Sequence, residues 1–184
     1  KNMTVNIFQF IIKLGLIKNL WRKRVFEKEL KESLSSRKLK ESFKVEKIAI
    51  LVDASFGIES DFYLNLSKDF NIPEIQVSLF LFGNDSQLEK QYNQILNIKE
   101  VNYWSKFKGQ LLSFCKNDYD LVINYYNKTN ILFSLISIRT NHKLSIGFRG
   151  ADPRINDVVF DIDPTDKKTF KKELIKYMKI LNKI

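Results

Sequence analysis

Between residues 47 and 160 the chain repeats one pattern: a short apolar run, a polar turn, then apolar residues at helical spacing. The first run, Lys47-Ile-Ala-Ile-Leu-Val52, is apolar at consecutive positions and stops at Asp53-Ala-Ser. A strand with one wet face alternates polar and apolar residues, whereas one covered on both faces does not. This run therefore belongs inside a parallel sheet. A helix over 60–69 follows, and Pro73 restarts the chain into a second strand over 75–82, closed by Gly83, Asn84 and Asp85. Next come a helix over 86–96, a short strand near Val101, a helix over 106–116 and a third clear strand over 120–124. Residues 131–138 read as a helix, and 143–148 and 157–160 as two more strands. Pro164 is placed to start the last helix, with Asp163 as its cap and Phe170, Leu174, Tyr177, Met178 and Leu181 on one stripe. Such alternation predicts an α/β fold: an open, mostly parallel Rossmann-like sheet flanked by helices, spanning 45–184.

Residues 1–44 stand apart. They hold twelve Lys and Arg against four Glu, a balance of +8 out of the whole chain's +10. Codon bias toward Lys, Asn, Ile and Phe adds lysine everywhere, but does not concentrate it at one end. Phe10, Leu14, Ile17 and Trp21 repeat at three- and four-residue spacing, so this segment reads as a basic helical N-terminal arm. Ser33, Ser35 and Ser36 mark a break. A basic arm on a nearly neutral body suits a polyanion, either nucleic acid or an anionic membrane surface.

Composition narrows the chemistry. One cysteine, Cys115, excludes an internal disulfide and fits a reducing compartment; one histidine, His142, excludes a multi-His/Cys metal centre. The apolar stretch 7–17 is too short and too polar to span a bilayer, and Arg22, Lys23 and Arg24 follow it rather than precede it, the reverse of a secretory leader. A cytoplasmic location is the expectation. No G-x-G-x-x-G or G-x-x-x-x-G-K-[S/T] occurs, and the first strand–helix turn contains only Gly57, so classical nucleotide binding is disfavoured. His142 has no serine placed to pair with it. Asp152, Asp157, Asp161, Asp163 and Asp166 lack the spacing of a calcium loop.

Ligands of open α/β sheets bind outside the carboxyl ends of the strands. Those ends carry Asp53, Ser55, Asn84, Asp85, Asn124, Arg149 and Gly150. One local motif is unusual, Gly147-Phe-Arg-Gly-Ala-Asp-Pro-Arg154. It reads either as two guanidiniums presented to phosphate, or as a tight connection with Arg149 paired to Asp152 or Asp157.

The stretches Tyr119-Asp-Leu-Val-Ile-Asn-Tyr-Tyr-Asn127 and Leu144-Ser-Ile-Gly-Phe-Arg-Gly-Ala-Asp152 resemble an uncharacterised α/β family found in Bacteroidota. The resemblance extends over residues 44–184 and implies no catalytic residues. Members of this group are in turn similar to a lineage-specific protein of the large ribosomal subunit.

The leading expectation is a non-enzymatic, ribosome-associated RNA-binding protein without a cofactor, its partners ribosomal RNA and neighbouring ribosomal proteins. Phosphate contacts are expected from Lys13, Lys18, Arg22, Lys23, Arg24, Lys28, Arg37, Lys38 and Lys40, with Trp21 stacking on a base or packing the arm. Arg149, Arg154, Lys168 and Lys172 complete the expected set, the last two on the lysine-rich face of the terminal helix. Two alternatives stay open. One is a degenerate enzyme or small-molecule binder using Asp53, Asn84, Asn124 and Arg149; the other is a peripheral membrane protein anchored through residues 7–21.

Overall fold

A computed structural model of the chain describes residues 2–36, 42–56, 60–82 and 100–184. The helix expected over 86–96, the turn at Gly83, Asn84 and Asp85, and Arg37, Lys38 and Lys40 lie outside the described residues, as does the side chain of Lys13.

The apolar runs form parallel strands β1 (Ile48–Asp53), β2 (Val77–Phe82), β3 (Tyr119–Tyr125), β4 (His142–Phe148) and β5 (Val158–Phe160). They are ordered β2-β1-β3-β4-β5, with Ile50 of β1 opposite Leu79 of β2 and Ile123 of β3. The predicted α/β architecture is therefore present. The order reverses direction between β1 and β3, the point at which a doubly wound sheet opens a crevice.

Five described helices cover the sheet: α1 (Asn2–Ser36), α2 (Ser60–Phe70), α3 (Gly109–Lys116), α4 (Ile131–Arg139) and α5 (Lys167–Ile180). Alternate residues of each central strand point to opposite faces. Ala49, Leu51 and Val122 meet Phe26 and Leu30 of α1, Phe114 of α3, and Leu132 and Leu135 of α4. Ile48, Ile50, Val52, Leu121 and Ile123 meet Leu66 and Phe70 of α2, and Phe170, Leu174 and Met178 of α5. Each Val, Leu, Ile, Phe or Met among them, fully buried, contributes ~1.5–3 kcal/mol. α1 and α5 thus lie on opposite faces of the sheet.

Several boundaries differ from the sequence pattern for local reasons. The last helix begins at Lys167, because Asp166 caps it by accepting from the Thr169 amide at 3.0 Å; Asp163 instead accepts from the amide and hydroxyl of Thr165. Helix α3 begins at Gly109 rather than Lys106, because residues 100–108 close a small hairpin in which Val101 pairs with Phe107. The Glu100 carboxylate then accepts from the amides of Gln110 and Leu111 at 3.2 and 2.6 Å. Gly109 sits at φ +58 beside that carboxylate, where a Cβ would lie 2.5 Å from Glu100 Oε1. Residues 74–76 form a 3₁₀ turn, so the second strand begins at Val77 and Ile75 is left 86% exposed.

Candidate nucleic-acid interface

Helix α1 has 35 residues and is about 52 Å long. Of the expected Phe10–Trp21 series, the side chains of Phe10 and Leu14 lie outside the described residues, and those of Ile17 and Trp21 are exposed. Phe26 and Leu30 are buried and Val25 packs beside them, whereas Leu16, Ile17 and Leu20 are 57%, 55% and 62% exposed.

Two arginines of the body grip this helix. Arg139, at the end of α4, donates from Nε and Nη2 to both oxygens of Glu29 at 2.7 Å. Its Nη1 donates to the Ser105 carbonyl, and its guanidinium lies over the Phe107 ring at 4.4 Å. Arg154 donates from Nη1 and Nη2 to Glu27 at 2.9 Å, and its Nε and Nη2 also reach Asp152. Hydrogen bonds from Arg154 hold the carboxyls of Glu27 and Asp152 below the ordinary carboxylate range.

These pairings decide the electrostatics of α1. Glu27 and Glu29 are neutralised by the body, and Glu32 lies 3.9 Å from Lys28 in an exposed pair of little energetic weight. Lys23, Arg24, Lys28 and Lys31 remain exposed on the outward stripe and line an open groove with Leu20 and Glu27. Lys18, one turn earlier, is half-buried. Arg22 is partly buried, its Nε without a hydrogen-bond partner among the described residues, and desolvation lowers its pKa. A guanidinium stays charged regardless, so Arg22 is a partly desolvated cation.

Beside this stripe stands an aromatic cluster. Trp21 meets Trp104 edge-to-face at 5.3 Å, and Trp104 meets Tyr103 at 5.2 Å. Tyr103 and Trp104 were not legible as site residues, since their relation to Trp21 depends on how the 100–108 hairpin docks. Lys31 and Arg139 were also missed, the latter because its partner Glu29 is 110 residues away in sequence.

Among the described residues, Lys168, Lys172 and Arg149 do not join this surface. Lys168 and Lys172 are exposed on α5, across the sheet from α1. Arg149 follows β4 and pairs with Asp161, both side chains being highly exposed, rather than with Asp152 or Asp157. Arg154 is committed to Glu27 and Asp152. The glycines of the 147–154 motif answer to packing: a Cβ on Gly147 would lie 2.6 Å from Asn156 Oδ1, and one on Gly150 would lie 2.7 Å from Asn127 Cγ.

Among the described residues, the end of β3 is filled. Asn124 is fully buried and donates from Nδ2 to Ser137 Oγ and Asn156 Oδ1 at 2.9 and 2.7 Å. Tyr125 donates its hydroxyl to the Pro164 carbonyl and contacts Phe56, Phe62 and Phe148. Asp53 accepts from the Ser55 amide in a local turn. His142 lies with Nδ1 2.6 Å from the Thr140 carbonyl. Among the described residues no group of three or more His, Cys, Asp or Glu is arranged to hold a metal, and no helix is long and apolar enough to cross a membrane.

Residues 18–181 match the model of a family of unknown function, DUF6913, and the chain belongs to that family. No curated protein and no solved structure matches it.

Proposed function

We propose that this DUF6913 member is a non-enzymatic RNA-binding protein of the cytoplasm that attaches to the ribosome, as a lineage-specific component of the large subunit in Bacteroidota. The observation that carries the RNA reading is the electrostatic division of α1. Glu29 and Glu27 are neutralised by Arg139 and Arg154, while Lys23, Arg24, Lys28 and Lys31 are exposed without a free carboxylate beside them. A cationic helix face on a rigid platform positions phosphates without reading sequence, so binding should be strongly salt-dependent. The ribosomal part rests on the resemblance of residues 119–127 and 144–152. Burial of Asn124 and the aromatic filling around Tyr125 weigh against an enzyme or small-molecule site at the strand ends.

The test is sedimentation of native lysate through sucrose gradients at low and high salt, probing for this protein. Co-migration with 50S and 70S particles supports the reading, and persistence at high salt supports an integral component. Confinement to the top of both gradients refutes the ribosomal part. A second reading, attachment to an anionic membrane surface, is favoured by the exposed Leu16, Ile17, Leu20 and Trp21 next to Lys23 and Arg24. Flotation with anionic liposomes, without ribosome co-migration, would support it instead.

A further inference from the structure

The hairpin over residues 100–108 is built rigidly and tipped with aromatic residues. Asn102 holds it from three directions: its amide donates to the Lys106 carbonyl at 3.0 Å, its carbonyl accepts from the Ser105 amide at 3.1 Å, and its Oδ1 accepts from the Lys106 amide at 2.9 Å. Ser105 closes the turn at φ +62 and is fully buried. Turn tips normally carry Gly, Asn, Asp, Ser or Pro. This one presents Tyr103 and Trp104, 37% and 56% exposed, and Trp104 is set against Trp21, itself 40% exposed. Burial gains little from rings placed so, and loop residues held by a rigid scaffold are the common bearers of binding.

Arg139 ties this hairpin and α1 together, gripping Glu29 with one edge of its guanidinium and the Ser105 carbonyl with the other. The two tryptophans are therefore pre-positioned by a shared anchor, and little ordering entropy remains to be lost on binding. Arg24 and Lys28, three and seven residues after Trp21 and so on the same face of the helix, are exposed. Aromatic rings beside exposed cations complement the base and phosphate of an unpaired nucleotide.

We propose that Trp104, with Trp21 and Tyr103, is a stacking platform for an unpaired base of single-stranded RNA, with Arg24 and Lys28 on the flanking phosphates. This deepens the RNA reading above and rests on it.

Trp21 and Trp104 are the only two tryptophans in the sequence, so intrinsic tryptophan fluorescence reports on this cluster alone. The full chain is titrated with a short oligoadenylate and, separately, with inorganic polyphosphate, which has charge without bases. Oligoadenylate should quench the fluorescence, and polyphosphate should bind without quenching. Trp104→Ala should weaken oligoadenylate binding about 5- to 150-fold and leave polyphosphate affinity and the salt slope unchanged. Trp104→Phe should fall between them, and circular dichroism should show both variants folded. Salt-dependent RNA binding with no quenching and no effect of Trp104→Ala overturns the platform while leaving the polyanion reading intact. Failure to bind either polyanion refutes that reading and the platform with it. A fluorescence blue shift on phosphatidylglycerol vesicles with no response to RNA assigns the patch to lipid, and concentration-dependent dimerisation that buries both tryptophans assigns it to a second copy; either overturns the proposal.

Discussion

Replacing Gly147 by alanine tests whether the Gly147–Arg154 motif serves packing rather than a ligand. Gly147 lies on β4 directly against the side chain of Asn156, and an added Cβ would sit 2.6 Å from Oδ1 and 2.7 Å from Cγ of that residue. Asn156 is only 7% exposed, and its Oδ1 accepts from Asn124 Nδ2 at 2.7 Å, so it has no open space into which to retreat. Two costs follow. Overpacking of a close-packed interior costs ~1–3 kcal/mol. Displacing Asn156 leaves buried amide atoms of the pair unpaired, another ~1–3 kcal/mol. Their sum, about 2–6 kcal/mol, is a large part of the ~5–15 kcal/mol that holds an ordinary domain together. Equilibrium urea unfolding followed by circular dichroism reads the loss. The double variant Gly147→Ala with Asn156→Ala removes the obstruction and should recover the overpacking part, ~1–3 kcal/mol relative to Gly147→Ala with Asn156 intact. A Gly147→Ala chain within ~0.5 kcal/mol of wild type, a shift typical of neutral surface changes, would refute the packing account and reopen the motif as a binding loop.

Arg139→Ala should destabilise the chain by about 1–3 kcal/mol, since it removes a partly buried, two-pronged contact to Glu29 and the bond to Ser105. It should also change tryptophan fluorescence without any ligand, because the hairpin and α1 lose their shared anchor. Burial alone would raise the pKa of Asp120, but bonds from Lys143 and from the amides of Glu46 and Lys47 outweigh it, and the folded-state value is lowered. A lowered carboxylate pKa contributes stability that is complete above the unfolded value near 4 and lost as pH falls through the folded value, so the melting temperature should fall below about pH 4. Asp120→Asn should lower stability at neutral pH and flatten that acid limb; an unchanged limb would count against the assignment. Burial pushes the Cys115 thiol up to about 11, so its reaction with a disulfide reagent at pH 8 should be at least about a hundredfold slower than that of a free thiol. Unfolding in urea should restore the ordinary rate.

Much of the fold was written in local pattern. Consecutive apolar residues at Ile48–Val52 and Leu121–Ile123 specify strands covered on both faces, because an uncovered face would need polar residues at every second position. The apolar segment 131–138 reads as a helix, and in the structure Asn130 caps it, its Oδ1 accepting from the Leu132 amide at 2.9 Å. The excess of positive charge near one end was likewise visible in composition alone. The site was less legible. Lys168 and Lys23 read alike as lysines on amphipathic helices, yet α5 and α1 cover opposite faces of the sheet. Trp21 and Trp104 are far apart in sequence and meet only because the hairpin docks beside α1. Neutralisation of Glu27 and Glu29 requires arginines 127 and 110 residues away. Periodicity and capping act within a few residues and can be read along the chain. Strand order, layer assignment and ion pairing depend on where the chain returns in space, and that is settled by burial of the whole core at once.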